Sequence, residues 1–292
     1  MNNKLSVVLA VRNEEENIGR CLEAVKNIAD EIVIFDEHST DKTVEICKKY
    51  GAKIFEEPHH ENFHITKQKA IDTATGDWVL QLDADEVVTP QLAEEIKSLI
   101  NMTNEEIKKR NLKDKNKKKL FLKHQQMIGK RDNLNFENGE IVAFMIPRLN
   151  MFLGKPLKYA GVYPDPAIRL FKNGKAYLPG GSVHEIMKVD GMVAWTFNDM
   201  QHFDSPTLKR YLDRANRYTS FTAAKFAEKR TKKNLENFIF YTAIKPISTF
   251  LMLYFRYKGF KDGINGFLWS LFSGWHFPLS YYKYITGGYN QL

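Results

Sequence analysis

The first ninety residues switch repeatedly between short apolar runs and helically spaced apolar positions, and few folds accommodate that alternation. Val7-Val8-Leu9-Ala10-Val11 is a continuous apolar run, as expected for a strand covered on both faces. Asn13 reads as a helix N-cap, with Glu16 closing a capping box. Ile18, Cys21, Leu22, Val25 and Ile28 then recur at spacings of three and four. Ile32-Val33-Ile34-Phe35 is the next strand, and Ser39 is positioned to cap a helix carrying Val44, Cys47 and Tyr50 that stops at Gly51. A short strand at 53–56, a His- and Glu-rich loop, a helix over about 65–75, a strand at 78–82 and a helix opening at Pro90 complete the series. Strands separated by such helices predict an α/β fold, a mostly parallel sheet flanked by helices.

In such sheets ligands bind beyond the carboxyl ends of the strands. The residues there are polar: Arg12 and Asn13, then Asp36, Glu37 and His38, then Asp83, Ala84, Asp85 and Glu86. Some of these acids serve as helix caps, but Asp83 and Asp85 precede their helix by too many residues. A turn at that point lets both carboxylates face one cation. Hard oxygen ligands with open positions suit Mg²⁺ or Mn²⁺ shared with a phosphate.

The pattern breaks at 101–139. Residues 104–119 are almost without apolar side chains, which predicts a solvated helix or loop, with membrane or substrate contact as the sharper alternative. Eleven Lys/Arg and one acid fall between Lys108 and Arg131, against a net charge of +8 for the whole chain. That balance favours anionic partners. The lysine run lacks interleaved stacking aromatics, which disfavours nucleic acid. The sheet resumes at Ile141. From Thr207 the chain reads as helical, and residues 238–289 hold 17 of the 37 aromatic residues. Residues 263–282 carry no formal charge, yet their Gly, Pro and polar content predicts packed or interfacial helices and not a span. Lys245-Pro246 is expected to break the apolar stretch before it. Two cysteines, Cys21 and Cys47, exclude a disulfide scaffold and read as buried hydrophobes. The N-terminus has no signal-peptide pattern, so a cytoplasmic location is expected.

Residues 7–17 (VVLAVRNEEEN), 32–43 (IVIFDEHSTDKT) and 74–86 (ATGDWVLQLDADE) resemble the nucleotide-sugar-binding half of family 2 glycosyltransferases of the GT-A fold. The similarity continues through Ile146-Pro147-Arg148 and Gly154, and through Tyr163-Pro164-Asp165 with Arg169-Leu170-Phe171. It extends further to Val183-His184-Glu185, Gln201-His202-Phe203 and residues 259–263. This wider set is similar to the bacterial lipopolysaccharide-core β-glucosyltransferase subgroup, a pattern also found in relatives that glycosylate peptides. The pattern departs at Ala10-Val11-Arg12, at Glu37-His38, and at Gln68, where an Asn is usual.

The resemblance implies a GT-A (Rossmann-like) domain over 1–205 with the basic insertion at about 101–139, followed by a helical, aromatic-rich region over 206–292. It implies that Asp36 binds the uracil ring, Lys67 lies near the donor phosphates, Asp83 lies near ribose and metal, and Asp85 ligates the metal. Val11, Asn13, Glu14, Ala84 and Arg169 complete the expected donor site. Asp165 is the first choice for the base that deprotonates the acceptor, and Glu185 the second. His184 is the favoured third metal ligand and His202 the alternative. The plainer readings are that Arg169 bridges core carboxylates, that Glu185 orients His184, that His202 is a satisfied interior histidine, and that His59, His60 and His64 sit on an exposed donor-side loop.

The expected activity is thus metal-dependent, inverting transfer of a hexose, glucose in the first instance, from a UDP-sugar with Mn²⁺ or Mg²⁺. The acceptor is a glycan, a lipid-linked glycan or a peptide. A sugar-nucleotide nucleotidyltransferase is the rival enzyme, disfavoured because 11–14 hold no Gly-rich phosphate loop. A catalytically inactive sugar- or membrane-binding relative is the non-enzymatic rival. Attachment to the cytoplasmic face of an anionic membrane, through the aromatic helices and the basic insertion together, is a further expectation.

Overall fold

The computed structural model describes residues 2–180 and 186–289. Asn290, Gln291, Leu292, Met1 and residues 181–185 lie outside the description, so the expectations placed on Val183, His184 and Glu185 fall outside the described residues. The chain divides into two units, Met1–Arg148 with Pro164–His202, and Leu149–Tyr163 with Phe203–Leu292.

The first unit is built on the alternating segment. Strands β1 (Leu5–Val11), β2 (Glu31–Asp36), β3 (Lys53–Glu56) and β4 (Trp78–Gln81) lie in the order β3-β2-β1-β4, all parallel. Helices α1 (Ile18–Val25), α2 (Thr43–Lys49) and α3 (His64–Asp72) connect them. Apolar positions of β1, α1 and β2 are sealed from water, including Leu9, Ile18, Leu22 and Ile34. Each such side chain contributes about 1.5–3 kcal/mol on burial. The registers Val11↔Asp36 and Asp36↔Glu56 bring the polar strand ends side by side.

Beyond β4 the sheet turns antiparallel. After β5 (Glu86–Val88) come helices α4 (Pro90–Leu99), α5 (Asn104–Lys109) and α6 (Lys115–Asp132). Next are β6 (Ile141–Phe152), β7 (Lys155–Pro156), β8 (Asp165–Lys172), β9 (Ala176–Tyr177), β10 (Lys188–Val189), β11 (Met192–Trp195) and β12 (Met200–Ser205). The order continues β4-β8-β6-β12-β5. Arg148 of β6 faces Asp165 of β8 across one pair, and His202 of β12 faces Glu86 of β5 across another.

Two local expectations are corrected. Asn13 caps no helix: it takes a left-handed conformation (φ 53°), its side chain accepts from Thr40 N at 2.8 Å, and α1 starts at Ile18 after Asn17. Ser39 likewise caps nothing; its Oγ accepts from Asn13 N at 2.9 Å, so the β1 and β2 exit loops hold each other. Residues 104–119 are largely helical and mostly exposed, as the solvated-helix reading had it, and the insertion is anchored farther along. Phe121 stacks on Trp195 at 4.4 Å, Ile128 is buried, and Lys117 binds Asp199 at 2.8 Å.

The second unit is helical after β12. It comprises α7 (Leu208–Glu228), α8 (Leu235–Ile239), α9 (Lys245–Leu251) and α10 (Gly263–Thr286). Lys245-Pro246 does not break the apolar stretch. A π turn over Phe240–Ile244 joins α8 to α9, with Lys245 N bonded to Phe240 O, and a second over Met252–Arg256 follows. Such widened turns accommodate the proline, which has no N–H to offer. The result is one 22-residue apolar helix, Leu235–Arg256, long and apolar enough by length and composition to cross a membrane. α10 is packed, as expected of residues 263–282: its buried face includes Gly266, Ser270, Gly274 and Tyr281.

Candidate active site

The β4–β5 turn carries Asp83, Ala84 and Asp85, and the structure sends the two acids in different directions. Asp83 Oδ1 pairs with Lys67 Nζ from α3, and Asp83 Oδ2 lies 2.6 Å from Arg169 Nη2 on β8. Burial by itself would raise the Asp83 carboxyl; Arg169 and Lys67 overcome that and hold it well below the usual carboxylate range. Asp85 Oδ1 instead lies 3.7 Å from His202 Nε2. Burial, reinforced by the positive charge of Arg148, pushes His202 down to about 4. Its imidazole is therefore neutral at pH 7, the form that ligates metal ions.

Behind this pair sits a group that sequence reasoning missed. Glu86 is fully buried and takes Arg169 Nη2 at 2.7 Å, Arg148 Nη1 at 3.2 Å and the Asp83 backbone N–H at 3.0 Å. Gln81, also buried, accepts from Arg169 Nη1. Arg169 thus bridges Gln81, Asp83 and Glu86, as its plainer reading had it, and in doing so it shapes the turn. Arg148 extends the chain of charges to Asp165, with Nη2 at 2.7 Å from Oδ2 and Nε donating to the Asp165 carbonyl at 3.1 Å. The signal for Glu86 was present as the acid three residues after Asp83. Arg148 was visible only as a member of a quoted motif.

At the ends of β1 and β2 the donor-side residues are arranged separately. Val11 is buried. Glu14 N donates to Thr43 Oγ1 at 2.7 Å, and its carboxylate accepts from Asn17. Asp36 Oδ2 accepts from Ser39 N at 2.9 Å, while Oδ1 is buried with no hydrogen-bond partner among the described residues. A buried acceptor left so costs about 1–3 kcal/mol, which a ligand N–H would recover. Glu37 is buried between Thr66 and His59, and Glu57 binds His60 and Lys69. His64 is buried, so the three loop histidines do not share one environment. Cys21 and Cys47 are both buried and reduced, and burial raises both thiols.

Asp85 and His202 supply one carboxylate and one neutral imidazole to the same small space, a mixed oxygen–nitrogen donor set that suits Mn²⁺ better than the all-oxygen preference of Mg²⁺. Cationic Lys67 and Arg169 occupy both oxygens of Asp83.

The family model for glycosyl transferase family 2 matches residues 6–159. An uncharacterized glycosyltransferase of Rickettsia typhi is 38% identical over 103 residues, 35% of this chain and 35% of that protein. One from Rickettsia prowazekii is 27% identical over 279 residues, 92% of this chain and 82% of that one. The lipopolysaccharide core biosynthesis glycosyltransferase LpsC of Rhizobium meliloti is 24% identical over 271 residues, 90% and 85% of the two chains. The Rickettsia typhi match therefore spans about a third of that relative's length.

Proposed function

The chain belongs to glycosyl transferase family 2, and from that premise we propose that it moves a hexose, glucose first, from a UDP-sugar to a glycan, lipid-linked or peptide acceptor with inversion. The observation that carries the reading is the division of labour at the β4–β5 turn. Asp83 is clamped between Lys67 and Arg169, and Asp85 is set against a neutral His202.

The unpartnered Oδ1 of Asp36 supports a pyrimidine base bound through its ring N–H. Lys67 places an ammonium beside the donor diphosphate, where negative charge gathers as the sugar–phosphate bond breaks. Asp85 and His202 would hold a divalent cation, which would add to the neutralisation of that charge. Asp165, aimed by Arg148, takes the acceptor hydroxyl's proton as the oxygen attacks C1 from the face opposite the diphosphate. Attack from that face inverts the anomeric configuration.

The test measures UDP release from UDP-glucose with Mn²⁺. Asp85→Asn is expected to abolish cation-dependent turnover while circular dichroism is unchanged. Asp165→Asn is expected to lower turnover roughly 10²-fold with calorimetric UDP-glucose binding retained, the scale of lost general-base catalysis. Normal turnover in Asp85→Asn overturns the ion assignment. Lost binding in Asp165→Asn makes that residue part of the donor site.

A membrane-surface location belongs to the same reading, and its support has moved along the chain. The second unit holds sixteen Lys/Arg against five Asp/Glu, whereas the first holds twenty-seven against thirty despite its lysine run. The cationic excess resides with the exposed apolar helix Leu235–Arg256, and attraction to anionic lipid follows at about 1 kcal/mol per basic side chain near the surface.

A further inference from the structure

Between α7 and α10, wholly within the second unit, lies an open groove of about 500 Å³. Its walls are mostly apolar: Tyr211, Leu212, Trp269, Phe272, Trp275 and Leu279. The rings brace one another, Tyr211 stacking on Phe272 at 5.3 Å and Trp269 meeting Phe152 edge-on at 5.3 Å, so the slot is preformed. Arg214, at its margin, is already paired with Asp204. Trp275 and Leu279 also line a second groove of about 270 Å³ together with Phe238, Pro278, Tyr282 and Ile285. Phe238 belongs to the apolar helix Leu235–Arg256, so the two grooves run from the α7–α10 slot to the flank of that helix.

The chemistry of the walls selects the occupant. The polar groups of the wall are already engaged within the protein, Asp204 with Arg214, Thr219 with Asn216 O, His276 with Thr222 and Asn216 Oδ1 with Lys283, so a sugar or nucleotide would find few free partners there. A narrow hydrocarbon chain needs none. The surroundings select its headgroup. Leu235 is 72%, Ile247 59% and Phe255 57% exposed along the helix. Lys229, Arg230, Lys232 and Lys233 precede it and Lys258 and Lys261 follow it, a distribution complementary to anionic lipid.

We propose that the α7–α10 groove binds the hydrocarbon chain of an anionic membrane amphiphile, taken up along the Leu235–Arg256 helix lying in the bilayer surface. The inference rests on the membrane-surface reading above and deepens it: an amphiphile with its chain lodged there belongs to the class that includes lipid-linked acceptors.

The probe is a lysophosphatidylglycerol brominated on its acyl chain, used below its micelle concentration with the full-length protein. Tryptophan quenching by bromine is the readout. Saturable quenching is expected in the wild type. Ser273→Phe, which fills the slot, is expected to weaken it at least tenfold, with sedimentation on phosphatidylglycerol vesicles and UDP-glucose binding retained. Ala215→Leu on α7 is the second filling variant should the first fail to fold. Unchanged affinity in the filled variants overturns the inference. So does absent quenching in a wild type that still sediments with vesicles, a result that leaves the membrane reading standing. Failure of the wild type to bind vesicles removes the membrane reading itself. A wild-type dimer that Ser273→Phe converts to monomer assigns the groove to a second copy of the chain and also overturns the proposal.

Discussion

The two units are held by opposite means. In the first, buried and half-buried charges are matched one against another, with Lys67, Arg148 and Arg169 set against Asp83, Glu86 and the more exposed Asp165. In the second, charge stays at the surface and the interior of the helical region is made by glycines, serines and tyrosines at close approach. A network of paired charges tolerates little removal, because each deleted partner strands another in a poor dielectric. A small-residue interface tolerates little addition, because its backbones already touch. Deletion in one unit and insertion in the other are therefore the informative perturbations.

The largest expected stability effect is Arg169→Met. It leaves Glu86, fully buried, with Arg148 at 3.2 Å as its remaining cationic partner, and Asp83 with Lys67 as its own. Removing one partner of a buried pair costs about 3–5 kcal/mol. A urea titration should show the midpoint falling, and the double variant Arg169→Met with Glu86→Gln should recover part of the loss. No recovery would mean that Arg169 acts through packing and not through the charge it matches.

The first unit was largely legible because its strands are buried on both faces and read as uninterrupted apolar runs ending in acids. The helix at 90–100, capped by Thr89, matched its signals. The misreadings there are local. Asn13 has the identity of a cap, but its left-handed backbone and its bond to Thr40 make it a clasp between loops. What the sequence did not mark is the anchoring of α6 through Phe121 and Ile128, two buried residues seven apart among lysines. Glu86 was visible as a strand-end acid, but its burial between two arginines from β6 and β8 was not, because those partners lie about 60 and 80 residues away. In the second unit aromatic density was legible, but continuity was not. The π turn before Lys245-Pro246 depends on packing that no spacing rule encodes. The lysine run is offset by acids elsewhere in its own unit, a balance set by a unit boundary that the sequence does not mark.

Gly266→Ala is the matching insertion and should cost less. A Cβ there would lie 1.9 Å from Gly259 O, a backbone atom that cannot swing aside. Relief requires α10 to shift, and overpacking of this kind costs about 1–3 kcal/mol. Differential scanning calorimetry should show a lower Tm. If the units unfold separately, only the transition of the helical unit should move. An unchanged Tm would show that α10 is free to slide, against the packing described.

The smallest effect concerns pH, and it compares the units in a different way. His276 on α10 shares a hydrogen bond with Thr222 of α7 at 3.0 Å, and burial, with a contribution from Lys283, lowers it below the ordinary histidine value. The folded protein therefore keeps His276 neutral at a pH where the unfolded chain protonates it. Below about 6.5, the ordinary value, the unfolded state binds more protons, so stability must fall as the solution is acidified and level off above that pH. His276→Asn retains a hydrogen-bonding side chain without the titration. The difference in unfolding free energy between wild type and variant should thus narrow from pH 7.5 to pH 5.5, as the wild type alone loses this contribution. His202 in the first unit titrates identically in both proteins and cancels in that difference. A pH-independent difference would show that His276 is hydrated enough to protonate in place, and the α7–α10 contact would then be wetter than its aromatic lining indicates.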